Sequence, residues 1–309
     1  MIRKLFLTTA AIILGAVASG GAAWADYKDT VKEFRVGLIG GENAQDLMTR
    51  NEKFRSLLEA ELGIPVKLYP ATDYGGIMQA MGANQVEMAG LGPSAFAGAW
   101  LDCKCIEPLV VPQEADGSTY YYSVMVTGAG SGIDSVEKMK GKSLAFADPN
   151  SASGYLIPNA SLKAEGIDPQ TYFSRTGFSG GHEQGVIAVL QKQYDGAVTW
   201  VSGQGEKSEG YTRGNLRSMV DKGLLKMSDI NIIWQSGKIP NGPTAIRTNL
   251  PDDLKAKLLE IMMALPTEHP DIYKQVERGT GKGYVRGSMD LFSDIIKLRE
   301  AEATGGRKS

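Results

Sequence analysis

Ser151 and Ser153 flank Ala152 in the run Asp148-Pro149-Asn150-Ser151-Ala152-Ser153-Gly154-Tyr155. This run joins a short apolar segment, Ser143 to Ala147, to the opening of a helical pattern. Pro149 fixes the turn, and each serine sets a hydroxyl beside backbone N–H groups that no helical carbonyl reaches. The helix dipole adds partial positive charge there. The arrangement suits an oxyanion held without a formal cation, although a serine in this place is also an ordinary helix cap.

A second run of the same kind is Phe178-Ser179-Gly180-Gly181-His182-Glu183. His182 falls in the first helical turn, where its ring can donate a hydrogen bond and titrate near physiological pH. Earlier in the chain, Thr72-Asp73-Tyr74 and Gly92-Pro93-Ser94 each open a helix, so Tyr74 and Ser94 are further donors. Gly40-Gly41-Glu42-Asn43 is a weaker opening of the same type. Tyr120, Tyr121 and Tyr122 alternate across a strand, so one face of that aromatic run meets the cleft. Converging N–H and O–H donors with no evident Lys or Arg point to a small tetrahedral oxyanion.

The elements that must position these residues alternate between strand and helix. Strands are expected at Phe34–Ile39, Val66–Tyr69, Val86–Leu91, Tyr120–Val126, Ser143–Ala147, Arg175–Phe178 and Ala197–Trp200. Helical patterns fill most intervals between them, with short turns, which predicts mainly parallel α/β sheets covered by helices on both faces. Ser202 to Gly214 is polar and reads as a surface insertion. Strands at Ile230–Trp234 and Thr244–Arg247 then return the chain, and helices close it at Asp252–Leu265, Asp271–Arg278 and Ser288–Glu302. The expected organisation is lobe one over residues 26–126, lobe two over 127–231, and lobe one again over 232–309. Two crossings make a hinge, and the cleft between the lobes is a natural ligand site, since ligands in open α/β sheets bind beyond the strand C-termini.

Composition narrows the class. The 309 residues carry 33 Lys+Arg against 35 Asp+Glu, so no basic footprint for nucleic acid exists. Two histidines and two cysteines leave no zinc-finger pattern or disulfide scaffold. Met1 to Ala25 reads as a secretory signal: Arg3 and Lys4, an apolar core over Leu5–Gly20, and a small-x-small site at Ala23-Trp24-Ala25. The core is short for a membrane span. Export permits oxidation of Cys103 and Cys105, read as a tight disulfide or free thiols in preference to a metal or redox pair.

On these runs the sequence resembles the periplasmic phosphonate-binding proteins of ABC transporters, within the phosphate, phosphite and phosphonate solute-binding group. The resemblance rests on Thr72-Asp73-Tyr74, Ala115-Asp116-Gly117-Ser118, Tyr121-Tyr122-Ser123-Val124, the run from Asp148 through Tyr155 to Leu156-Ile157-Pro158, and Gly181-His182-Glu183. It implies a type II periplasmic binding protein whose two α/β lobes close on the ligand. It implies phosphonate oxygens held by Ser151, Ser153 and His182 and, from across the cleft, by Tyr74, with Tyr121 as a wall. Where the family often has Thr between the serines, this chain has Ala152, which keeps only its backbone N–H. Aminophosphonate binders use two carboxylates for the ammonium; the aligned positions here are Ser202 and Gly242, which cannot neutralise a cation. Trp200 is then an apolar or cation-facing wall. An alkylphosphonate, phosphite or another phosphonate remains open as ligand. No cofactor is implied; the implied partners are a membrane permease and an ATPase, and the implied state is a monomer. Two other readings stand beside capture for transport: a sensor for the same ligand, and a hydrolase built on Ser151, His182 and Asp148. The second lacks a Gly-x-Ser-x-Gly elbow at Ser151.

Overall fold

The computed structural model describes residues 26–305; the expected signal segment and its cleavage site lie outside them. The elements run α1 (Tyr27–Thr30), β1 (Phe34–Leu38), α2 (Ala44–Leu62), β2 (Val66–Pro70), α3 (Tyr74–Gly82), β3 (Met88–Gly90), α4 (Pro93–Cys103), β4 (Ile106–Gln113) and β5 (Tyr120–Gly128). They continue with β6 (Ser143–Phe146), α5 (Ile157–Ala164), α6 (Pro169–Tyr172), β7 (Arg175–Phe178), α7 (His182–Leu190), β8 (Gly196–Val201), α8 (Asn215–Asp221), β9 (Ile230–Gln235) and β10 (Ile239–Pro240). The last are β11 (Thr244–Arg247), α9 (Asp252–Glu268), α10 (Pro270–Glu277), β12 (Gly283–Arg286) and α11 (Ser293–Gly305).

Two six-stranded sheets result. The first has the order β12-β4-β11-β3-β1-β2; the second runs β10-β5-β8-β6-β7, with β9 also paired to β5. Each sheet has a parallel part, β2-β1-β3 and β7-β6-β8, flanked by antiparallel strands. The sheets are therefore mixed, not mainly parallel. In the first sheet the difference comes from β4, which carries Pro108 and Pro112 and so does not read as a strand. It comes also from β12, four residues set between helices.

The chain crosses between sheets at residues 114–119 and again at 241–243, since β5, β9 and β10 all belong to the second sheet. The boundaries expected at 126 and 231 move accordingly. Asn241 fastens the crossings together: its N–H donates to Thr119 O (2.8 Å) and its Nδ2 to Pro112 O (2.9 Å).

Helices form where the pattern demands. Asn43 caps α2 through bonds from the Gln45 and Asp46 N–H groups, and Leu47, Phe54, Leu58 and Leu62 bury one stripe of that helix against β1 and α9. Asp73 caps α3 by accepting the Gly76 N–H at 2.7 Å. α4 starts with Pro93 in the first turn and ends near Cys103, which is disulfide-bonded to Cys105. No described helix is long and apolar enough to cross a membrane.

Candidate functional site

The strand β6 delivers the chain to Asp148 at the edge of the cleft. Asp148 is buried, which pushes its carboxyl up, and it accepts the Asn150 N–H at 2.7 Å. Its other oxygen accepts the Tyr74 N–H at 3.4 Å, a bond from lobe two to lobe one. Beyond Ser151 the backbone takes a wide π-helical turn over Ala152–Leu156 before α5 begins. Such turns gather at functional sites because they splay backbone groups outward. Ser151 Oγ accepts the Gly154 N–H at 2.9 Å and lies 3.1 Å from His182 Nε2. Gly154 has no room for a side chain: a Cβ would stand 2.8 Å from Ser151 Oγ and 3.0 Å from the His182 ring.

His182 opens α7 directly behind the serine. Burial pushes its imidazole down to about 3, with the positive charge of Arg278 acting the same way. The ring is therefore neutral at physiological pH and does not titrate there, contrary to the expectation for an exposed imidazole. Its Nδ1 faces the Val198 backbone without completing a hydrogen bond. Asp148 is engaged with Asn150 and Tyr74, so no Ser-His-Asp relay is assembled.

From lobe one, Tyr74 turns its hydroxyl to Ser151; burial pushes that phenol up, so it stays protonated and can donate. Tyr121 donates to Ser153 Oγ at 3.3 Å, and Ser123 Oγ donates to Ser153 O at 2.6 Å, which fixes the second serine. Tyr120 and Tyr122 pair on the opposite face of the strand. Trp200 stands edge-on to Tyr121, 5.5 Å between centroids, and its ring lies 5.3 Å from the Arg213 guanidinium.

These residues line one cavity of about 200 Å³ between the lobes: Tyr74, Tyr121, Ser151, Ser153, His182 and Trp200 all face it. Ser94 and Ala152 do not. Ser94 is fully buried at the second residue of α4 with its hydroxyl unpartnered, and Ala152 packs with Tyr121 and Ile239. Ser202 is tied to Thr212 Oγ1 at 2.8 Å outside the lining. Gly242 lines the cavity, but a Cβ there would overlap the Leu91 carbonyl, so no carboxylate can stand at that position.

Sequence reasoning missed the guanidinium groups. Arg50, Arg213 and Arg278 all line the cavity. Arg213, in the stretch read as a surface insertion, is buried; it pairs with Glu114, donates to Glu277 at 3.2 Å and to Asn241 Oδ1 at 2.8 Å. That knot joins lobe two to both crossings. Arg50 and Arg278 pair with Glu42, and Lys222 of lobe two bridges Glu42 (2.9 Å) to Glu183 (2.8 Å). Burial alone raises Glu42, yet the charges of Arg278 and Arg50 and the Lys222 bond outweigh it and bring it down to about 2. The Gly40-Gly41-Glu42-Asn43 turn was the only local signal of this second knot. Among the described residues no cluster of His, Cys, Asp and Glu could hold a metal.

A family model described as the periplasmic substrate-binding protein of a phosphonate ABC transporter matches residues 36–291. The phosphonates-binding periplasmic protein of Escherichia coli K12 is 30% identical over 280 residues, covering 89% of this chain and 78% of that protein. A binding-protein component of an ABC phosphonate transporter from Pseudomonas aeruginosa has a similar structure, with TM-score 0.73 and 28% identity, covering 86% of this chain and 85% of the other. PhnD1 of Prochlorococcus marinus, solved with methylphosphonate, shares the fold at TM-score 0.74 and 18% identity, over 88% and 98% of the two chains. The two-lobed architecture is the type II periplasmic-binding-protein fold. With its matched span running from β1 to just before α11, the chain belongs to the family of periplasmic substrate-binding proteins of phosphonate ABC transporters.

Proposed function

We propose that this protein captures a phosphonate or a related phosphorus oxyanion in the interlobe cavity and presents it, closed, to a permease driven by an ATPase. The observation that carries the reading is the convergence of Ser151, Ser153 and His182 from lobe two and Tyr74 from lobe one on one buried cavity. Neutral donors inside a water-poor cleft bind an anion strongly, because hydrogen bonds to a charged acceptor are about twice as strong as neutral ones. Backbone N–H groups at the Ser151 turn add to them. Tyr121 and Trp200 wall the site. Ligand contacts drawn from both lobes favour the closed form over the open one, and that difference is what a permease can read. Capture without turnover fits Asp148, which is engaged with Asn150 and Tyr74 and not with His182. Export with cleavage after Ala25 would leave Asp26, the cap of α1, as first residue.

Calorimetric titration of ligand-stripped protein tests the reading, using methylphosphonate, 2-aminoethylphosphonate, phosphite, phosphate and sulfate at one pH and salt. A phosphorus oxyanion binds tightly, and Ser151→Ala or His182→Ala weakens it by about tenfold to a hundredfold, the loss of one hydrogen bond to a charged group. Binding of none of the five, or of sulfate as tightly as any, would overturn it.

A further inference from the structure

The cavity does not end at the anion site. Beyond Tyr74 and the ends of β1 and β3 it continues beneath α2, where its lining is Leu38, Leu47, Phe54, Met88, Met262 and Val276. Five of these belong to the buried core of lobe one and the sixth packs against it. A native core seldom leaves such space, since interiors are close-packed. The volume, about 200 Å³, also exceeds what a tetrahedral oxyanion requires. An apolar cavity of about 150 Å³ stays dry and takes a benzene-sized guest, and one water needs only ~10–15 Å³ on this measure.

The charges around the arm define the guest further. Arg50, Arg213 and Arg278 line the cavity against one carboxylate, Glu277. Glu277 is already engaged: it accepts from Arg213 at 3.2 Å and from the Tyr284 hydroxyl at 2.7 Å. Arg213 also occupies the cation position beside Trp200. Gly242 leaves no space for a new acid. An ammonium in this cavity would meet no unpaired carboxylate among the lining residues. A second anion would find Arg50 and Arg278 already paired with Glu42, with the buried Arg50 Nε left as an unpartnered donor.

We infer that the arm beneath α2 is a subsite for an uncharged apolar substituent on the bound oxyanion, which makes the ligand class alkyl- or arylphosphonates larger than methylphosphonate. The inference rests on the phosphonate reading above and adds the direction and chemistry of the tail. Ser151, Ser153, His182 and Tyr74 hold the head, and the carbon chain lies along Leu47 and Phe54 toward Met262.

The test is a titration series on the exported protein with methyl-, ethyl-, propyl- and butylphosphonate and with 2-aminoethylphosphonate, the charged isostere of the propyl compound. Affinity rises about threefold to fourfold for each methylene entering the arm, and the aminated ligand binds at least tenfold more weakly than propylphosphonate. Leu47→Trp, which fills the arm, removes the gain from propyl and butyl while methylphosphonate binds as before. Should that variant fold poorly, Val276→Phe narrows the arm from its partly buried side, and the wild-type series needs no variant. A flat or falling series, or a preference for the aminated compound, overturns the apolar subsite and leaves the phosphonate reading intact. If no phosphonate binds at all, that reading fails and the subsite falls with it.

Discussion

Gly41 and Gly181 meet backbone to backbone across the cleft: a Cβ built on Gly181 would stand 2.5 Å from the Gly41 carbonyl oxygen. Gly41 sits in lobe one between β1 and α2, and Gly181 immediately precedes His182. This backbone contact between the lobes therefore lies one residue from His182, which lines the cavity. Closing the lobes and completing the site are therefore expected to be one event.

Gly181→Ala tests this. The backbone at Gly181 is extended, with φ 167, so alanine brings no strain of its own. The added methyl instead obstructs Gly41 and holds the lobes apart. Ligand affinity falls by tenfold or more while the thermal midpoint of the ligand-free protein shifts by only a few degrees. Unchanged affinity would mean that the lobes close without this contact.

His182 makes stability depend on pH. Its ring stays neutral in the folded protein down to about pH 3, while in the unfolded chain it protonates near 6.5. Between those values the unfolded state binds the extra proton. The contribution is fully present above pH 6.5 and is lost as pH falls toward 3, at up to about 1.4 kcal/mol per unit. Glu42, brought down to about 2, adds a loss that begins only below its unfolded value of 4.5. Urea midpoints of wild type and His182→Asn from pH 7 to 5 separate the two, because Glu42 makes no contribution to the loss in that window. Parallel curves would remove His182 as the cause.

Arg213 holds the hinge. Replacing it by Met leaves Glu114, a fully buried carboxylate, without its counter-charge. Removing one partner of a buried ion pair costs roughly 3–5 kcal/mol. A loss of that size in urea unfolding is expected for Arg213→Met, with ligand binding weakened as the two crossings loosen. A change below about 1 kcal/mol would show that the Asn241 bonds alone hold them.

The disulfide matters less. Cys103 and Cys105 close a loop of three residues, and the entropy removed from the unfolded chain is small at that length, about 1.5 kcal/mol. The pair lies at the far end of α4 from the cleft. Reduction, or Cys105→Ser, lowers stability by no more than that and leaves ligand affinity unchanged. Titration in the presence and absence of reductant checks both statements.

The sequence by itself determined the strand–turn–helix junctions at Tyr74, Ser151 and His182. Each is a local device: a cap or turn residue, a free N–H and a short side chain are adjacent in the chain, so spacing alone reveals them. It determined the two-lobed α/β organisation for the same reason, because strand and helix periodicities are local. Tertiary structure decided what depends on distant partners. β4 is a strand in spite of its two prolines because β11 and β12 pair with it on either side. Arg213 leaves a polar stretch for the interior because Glu114, Glu277 and Asn241, far apart in sequence, converge to neutralise it. Ser94 resembles the other junction serines yet lies outside the cavity lining, with its buried hydroxyl unpartnered. The arm beneath α2 is a space between helices and sheet, and no residue's own spacing records a space.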